Sequence, residues 1–390
     1  MPSFHQRVEL IRVKVNPLSY LEGLSKLEGL ERQQNGPHMT HQKYLKMASF
    51  IPRTAFLASE HIQKSYFLGH HRAGLEKMKA MLDSVDHVIE CRDFRVPATS
   101  INPLFEEALG GKSRTIVYTK RDLGADSKPE SRMKEKLISR WEQKSTKVFF
   151  ASRSLKNSVT PLAKYIKYLP MAANSVIGYR MLIVGMPNVG KSTLINKLRS
   201  MTNIKNVRKS AVVRTGADPG ITRKIGTPIK LFEKDDIGIY VYDTPGVFVP
   251  YVSNPDSMLK MALCGIIKDS LVPIITLADY LLFQMNQNLL MDMYGAYCAP
   301  TNDIMELLGA ISRKAGRLVK GGEPDYEAAA RLFITQWREG KLGLFMLDDV
   351  VKVSWEKKNA RLGTTESSIP GTSLELTPER AQKILATGVV

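Results

Sequence analysis

Nine consecutive residues, Gly185-Met-Pro-Asn188-Val189-Gly190-Lys191-Ser192-Thr193, combine two glycines, a lysine and a hydroxyl pair at a spacing suited to phosphate. The glycines let the backbone curl so that successive amides point inward at phosphate oxygens. Lys191 then reaches the β and γ phosphates, and the Ser192 hydroxyl takes a place on Mg²⁺. Further on, the alternating run Gly238 to Tyr242 delivers Asp243-Thr244-Pro245-Gly246. Asp243 suits the Mg²⁺ shell, and the Gly246 amide suits the γ-phosphate. Between them, in Asp218-Pro-Gly220-Ile-Thr222-Arg223, the Thr222 hydroxyl completes the metal site only when the γ-phosphate is bound, which would make the segment a switch.

A base-reading tetrapeptide, Thr119-Lys120-Arg121-Asp122, follows the strand-like run Arg114 to Tyr118. Guanine presents an N1 hydrogen and an exocyclic amine, which one carboxylate accepts together, whereas adenine turns a lone pair toward it. Asp122 therefore selects GTP, and Lys120 lays its aliphatic stem along the base. The bland reading is a solvated charged turn. A second run, Lys147-Val-Phe-Phe150, leads to Ala151-Ser152, where the Ser152 amide can meet the guanine oxygen. The tetrapeptide precedes the phosphate loop along the chain. That inverted order points to a nucleotide-binding domain cut and rejoined elsewhere, which termini lying close together on a compact surface make easy.

This order of motifs resembles the circularly permuted GTPases of the YlqF/RbgA group, including its mitochondrial ribosome-assembly members. Tyr66-Phe-Leu-Gly69-His70-His71 is similar to the family's Trp-Phe-Pro-Gly-His-Met opening. Asp93-Phe-Arg95-Val-Pro97 with Asn102-Pro103 is similar to its Asp-Ala-Arg-Ile-Pro segment. Gly265-Ile-Ile-Lys-Asp269, Asp325 to Ala330 and Gly340-Lys-Leu-Gly343 are similar to its C-terminal region, so the resemblance covers residues 64 to 348. Two departures stand out: no proline precedes Gly69, and Thr119 replaces the usual Asn, which weakens a hydrogen bond expected near the base edge.

Val247 follows Gly246 where small GTPases carry a water-orienting Gln, and an aliphatic side chain cannot orient water. A histidine between Gly69 and His71 reads by itself as a turn or solvent residue. The resemblance implies instead that His70 takes the catalytic part when the ribosomal partner is present. Asn188 either accommodates the loop's turn or, as in related GTPases, ligates K⁺ beside the phosphates.

The elements that must position these residues form an α/β, doubly wound P-loop domain, circularly permuted, with a helical C-terminal domain. Strands are expected at Val85 to Cys91, Thr115 to Tyr118, Val148 to Phe150, Arg180 to Val184, Ile229 to Phe232 and Ile239 to Tyr242. The sheet should be mainly parallel, with Ile229 to Phe232 antiparallel. The joining linker runs from Arg153 to Gly178 and holds an amphipathic stretch stopped by Pro170. Apolar residues recurring at three and four predict helices at Asp256 to Leu263, Ile275 to Leu282, Ile304 to Leu308 and Tyr326 to Trp337. The organisation expected is an N-terminal extension over 1–63, a G domain over 64–252, a helical domain over 253–350 and a loose tail over 351–390.

Across 390 residues, Lys+Arg 56 against Asp+Glu 38 give a formal net charge of +18, enough to bind polyanions, although a basic surface can also reflect only a matrix-like pI. Lys205, Arg208 and Lys209, and Arg313, Lys314, Arg317 and Lys320, are the runs able to meet phosphates. Three cysteines, Cys91, Cys264 and Cys298, lack metal-ligand spacing and suit a reducing compartment. The most apolar segment, Leu271 to Phe283, contains Asp279 and is shorter than a membrane span. Arg7, Arg12 and Lys14 suit a transit peptide, while Glu9, Glu22 and Glu28 do not. The resemblance implies a monomeric GTPase of the mitochondrial matrix, with peripheral inner-membrane association left open. Its partners would be GTP/GDP and the large ribosomal subunit precursor, including its rRNA. The competing reading is a GTP-gated RNA scaffold in which hydrolysis is incidental; Asp122 argues against a P-loop ATPase or kinase.

Overall fold

The computed structural model describes residues 10–11, 50–57, 69–125, 129–142, 145–170, 178–201, 227–234, 237–246, 252 and 254–361. Its elements in chain order are β1 (Leu10–Ile11), β2 (Phe56–Leu57), α1 (Gly69–Leu82), β3 (His87–Asp93), α2 (Pro103–Leu109), β4 (Arg114–Thr119), α3 (Arg121–Gly124), α4 (Pro129–Ser139) and β5 (Lys147–Phe150). They continue with α5 (Thr160–Tyr168), β6 (Tyr179–Gly185), α6 (Lys191–Ser200), β7 (Ile229–Lys234), β8 (Ile237–Asp243), α7 (Pro255–Leu263), α8 (Ile274–Gln287), α9 (Met291–Tyr294), α10 (Ile304–Ala315), α11 (Tyr326–Arg338) and α12 (Val350–Arg361).

The main sheet has six strands in the order β5-β4-β3-β6-β8-β7. Every pair is parallel except β7 with β8, as the sequence pattern predicts. Read from β6 onward, with the linker between β5 and β6 opened and β8 joined to β3, the order becomes that of an uncut P-loop domain. The permutation therefore moves the chain ends and leaves strand neighbours alone. Both faces are covered, as a parallel sheet requires. On one, Leu182 and Val184 of β6 pack with Leu75, Met78 and Leu82 of α1 and with Phe105 and Leu109 of α2. Met181 and Ile183, pointing the other way, are equally buried, and α6 packs against β6, β7 and β8.

The described residues group into two compact units. One lies within Met1–Glu60, Ala278–Thr335 and Val351–Val390, the other within His61–Leu277 and Gln336–Val350. In the first, Arg53 forks onto the Asp279 carboxylate at 2.6 and 3.1 Å, and Phe56 meets Tyr280 edge to face. The second holds the main sheet and α7. One expectation changes at the C-terminus, because the tail predicted from residue 351 begins as helix through Arg361. No Gly or Pro interrupts that stretch before Gly363, and its Lys, Glu, Ala and Arg residues lose little freedom in a helix.

At the start of β3, His87 is buried with Nδ1 3.0 Å from Ser113 Oγ and Nε2 2.8 Å from Thr115 Oγ1. Burial lowers its pKa from 6.5 to about 4. The unfolded chain thus takes up a proton at this residue well before the folded one does. Its contribution to stability is complete above pH 6.5 and is lost as pH falls toward 4, by up to about 3 kcal/mol. His87→Gln is expected to flatten the pH dependence of the urea midpoint across that window; a variant as acid-sensitive as wild type would place the effect elsewhere.

Candidate functional site

The C-terminal ends of β3, β4, β5, β6 and β8 open on one edge of the sheet, where open α/β folds place their ligands. A cleft of about 720 Å³ lies there, within the usual range for ligand sites. Thr119, Lys120, Asp122, Ser152, Asn188, Gly190, Lys191, Ser192, Thr193 and Gly246 all line it. The carboxylate at 122 and the ammonium at 191, reversed along the chain, face one cavity.

At one end the backbone comes unusually close to itself. A Cβ on Gly185 would sit 2.5 Å from the Cys91 carbonyl oxygen, and one on Gly246 would sit 2.5 Å from Pro187 Cα. Gly190, at φ +95°, caps α6 at its start in the left-handed region that glycine tolerates. Lys191 Nζ donates to the loop carbonyls of Gly185 and Met186 at 3.1 and 2.8 Å. Ser192 Oγ donates to Asp243 Oδ2 at 2.9 Å, while the buried Asp243 Oδ1 has no hydrogen-bond partner among the described residues. A hydroxyl and a carboxylate with an open oxygen suit Mg²⁺, a hard cation that takes few protein ligands and keeps waters or phosphate oxygens. Burial raises the Asp243 pKa against the pull of Lys191, and burial lowers that of Lys191 against the pull of Asp243.

At the other end, Lys120 takes a left-handed φ of 56° and its ammonium donates to Asp93 at 2.8 Å. The Asp93 carboxylate also accepts Arg95 Nε at 3.1 Å and Nη2 at 2.8 Å. Burial alone would raise the Asp93 pKa, but Arg95 and Lys120 hold it well below the usual carboxylate range. Arg95 goes on to the Cys264 carbonyl at 3.0 Å and lies over the Trp337 ring. Asp122 accepts the Arg153 and Ser154 amides at 3.0 and 2.9 Å. Burial opposes its ionisation, yet these backbone donors leave its pKa below the ordinary value.

Several expected roles are redistributed. The Thr119 hydroxyl is buried and lies against the carbonyls of Val189 and Arg92, beneath the phosphate loop. The Thr119 hydroxyl therefore ties the end of β4 to the phosphate loop. Arg121 and Val189 do not line the cleft: the Arg121 guanidinium pairs with Glu135 at 2.6 Å, and the Val189 side chain is fully buried. The Ser152 amide donates to Ser158 Oγ at 3.1 Å, so the amides turned toward Asp122 are those of Arg153 and Ser154. Asn188, at φ 55°, donates its amide to the Gly265 carbonyl at 2.9 Å. Thr222 and Val247 lie outside the described residues; His70 is the second residue of α1, and its side chain also lies outside them. Asp93 and Arg95 were visible only as part of the Asp-Phe-Arg-Val-Pro segment, and nothing local marked Lys197, another residue of the cleft wall.

A family model described as 50S ribosome-binding GTPase matches residues 180–304, beginning at the strand that feeds the phosphate loop and leaving the upstream tetrapeptide outside. Mitochondrial GTPase 1 of Schizosaccharomyces pombe is 33% identical over 320 residues, 78% of this chain and 94% of the relative. Mitochondrial ribosome-associated GTPase 1 of Mus musculus is 35% identical over 316 residues, 76% of this chain and 93% of the relative. The solved structure of GNP-bound YlqF from T. maritima aligns with a TM-score of 0.47 at 22% identity, covering 70% of this chain and 97% of that one.

An amide at position 122 would keep one acceptor and turn the other atom into a donor, which complements xanthine, where a carbonyl replaces the guanine amine. Asp122→Asn is expected to invert the preference from GTP to XTP by up to about 100-fold, the effect of setting one donor against another donor in a buried contact. Competition titration with both nucleotides checks this, and a variant still preferring GTP would remove Asp122 from base recognition.

Proposed function

Because the chain belongs to the mitochondrial GTPase 1 family, and so is a mitochondrial enzyme that hydrolyses GTP, we propose that it acts in assembly of the large ribosomal subunit, engaging precursor rRNA in its GTP form and leaving on hydrolysis. The observation that carries the reading is the single cleft shared by Asp122, Lys191 and Ser192, with Asp243 behind Ser192. Asp122 and the neighbouring amides read the base, and the loop from Gly185 to Lys191 wraps the phosphates. Ser192 and Asp243 hold Mg²⁺, with Thr222 joining them in the GTP form; when bound, the metal neutralises charge on the phosphates. Lys191 leaves its own loop carbonyls for the phosphate oxygens. Val247 cannot orient water, so His70, at the opening of α1, supplies the base when the ribosomal partner draws it in. Asn188 marks the place for K⁺, so replacing K⁺ by Na⁺ should slow turnover.

The relatives' names support a ribosomal partner: the mouse protein is named ribosome-associated, and the matching family is described as binding the 50S ribosome. A basic turn supports RNA as the contact. Every residue from Arg313 to Glu323 is exposed, with Arg313, Lys314, Arg317 and Lys320 against Glu323 alone. The turn is pinned rather than loose: Val319 N donates to Glu323 O at 2.9 Å, Asp325 N to Arg317 O at 2.9 Å and Asp325 N to Ser312 Oγ at 3.1 Å. The other basic run, Lys205 to Lys209, lies outside the described residues.

Charge reversal at Arg313, Arg317 and Lys320 together should lower affinity for large-subunit rRNA tenfold or more and flatten its salt dependence, with GTP affinity unchanged. Unaltered RNA binding would remove this turn from the interface. Adding large-subunit precursors should raise GTP turnover well above the intrinsic rate, and His70→Ala should keep nucleotide affinity and lose most of that stimulation. A second reading, a GTP-gated RNA scaffold, must also account for Val247, and turnover that precursors leave unchanged would select it.

A further inference from the structure

The loop after β5 is gripped from two sides. On one, the Arg153 and Ser154 amides donate to the two Asp122 oxygens at 3.0 and 2.9 Å. On the other, three carbonyls converge on a single ammonium: Lys197 Nζ lies 2.5 Å from Ser152 O, 2.5 Å from Leu155 O and 3.3 Å from Arg153 O. Ser158 Oγ adds a fourth contact with this ammonium at 3.3 Å. Lys197 belongs to α6, the helix that the phosphate loop feeds.

The two grips are one, because a trans peptide is rigid and its C=O and N–H point opposite ways. The Ser152 carbonyl shares a peptide plane with the Arg153 amide, and the Arg153 carbonyl shares one with the Ser154 amide. Whatever draws those carbonyls toward α6 turns those amides toward the base pocket. Three carbonyl dipoles aimed at one point repel one another without a cation between them, and an ammonium with its three N–H donors suits that place.

We infer that Lys197 is a specificity-positioning residue for the base end of the cleft. By gathering the carbonyls of residues 152, 153 and 155, it holds the amides of 153 and 154 beside Asp122, so that one of them passes from the carboxylate to the guanine C6 oxygen when Asp122 takes N1–H and the amine. The inference rests on the guanine-nucleotide reading of the cleft. It also ties the phosphate-loop helix to the base-reading loop through one side chain. Lys197 acts through the loop, so its signature is a change in which purine atoms are discriminated.

The test uses the full chain and three diphosphates in equilibrium titrations: GDP, 6-thio-GDP, which alters only the atom at C6, and IDP, which lacks only the amine. Lys197→Met keeps the aliphatic stem and removes the donors. It should weaken GDP binding about tenfold, collapse the GDP to 6-thio-GDP preference toward one, and leave the GDP to IDP preference near the wild-type value. Lys197→Gln, shorter and uncharged yet still a donor, should fall between the two proteins and decides the matter if the Met variant does not fold. Three outcomes overturn the inference: a wild-type protein indifferent to the C6 atom, variants that keep the wild-type C6 preference, and variants that lose affinity for all three ligands by one common factor. A wild-type protein indifferent also to the amine, and binding ADP as well as GDP, would instead bring down the guanine reading itself.

Discussion

The phosphate loop has almost no room around it. Its backbone runs against the Cys91 carbonyl at Gly185, against Thr119 at Gly190, and is met at Pro187 by Gly246, with two of these approaches too tight for any Cβ. Such closeness requires β3 and β8 to flank β6 and β4 to end one strand further on, and that arrangement brings Asp122, Ser192 and Asp243 to the same edge. The constraint is on which strands are neighbours and is indifferent to the order in which the chain visits them. A permuted chain can therefore satisfy it as well as an uncut one.

The two ends of the cleft differ in how far the protein satisfies its own charges. At the base end, Asp93 is paired with Arg95 and Lys120, and Asp122 with two backbone amides, so that end is built and aimed before any ligand arrives. At the phosphate end, Asp243 keeps a buried oxygen without a partner among the described residues, and Lys191 spends its donors on the loop's own carbonyls. Buried charges left incomplete are costly unless something completes them. A metal-bound triphosphate supplies both missing signs at once. On the proposed reading, recognition of the base is rigid and the state of the phosphates is what the protein senses.

Charges also tie α7 and Arg338 to this cleft, all within one unit. The Arg338 guanidinium joins Asp269 at 2.6 Å and the last carbonyls of α7, Ala262 at 2.8 Å and Leu263 at 2.9 Å, a favourable place for a cation at a helix C-terminus. Asn188 reaches Gly265 just beyond that helix. Cys264 and Gly265, just past α7, and Arg338 thereby line the cleft.

Most of the fold was legible in the chain, because strand and helix periodicity and the glycine spacing of a phosphate loop are local properties: the expected antiparallel strand and mainly parallel sheet are in place, and the four helices expected after residue 254 begin within a residue of their expected starts, two of them running on past their expected ends to Gln287 and Ala315. The types of residue at 119–122, 185–193 and 243–246 likewise determined what chemistry was on offer. The tertiary structure alone decided who holds whom. Thr119 reaches across 70 positions to Val189, and Lys197 crosses 45 to the Ser152 carbonyl. Arg121 turns away to Glu135, and the Ser152 amide is taken by Ser158. A hydrogen bond is settled by which donor and acceptor the packed backbone brings within 3 Å or so, and no spacing along the chain records that distance.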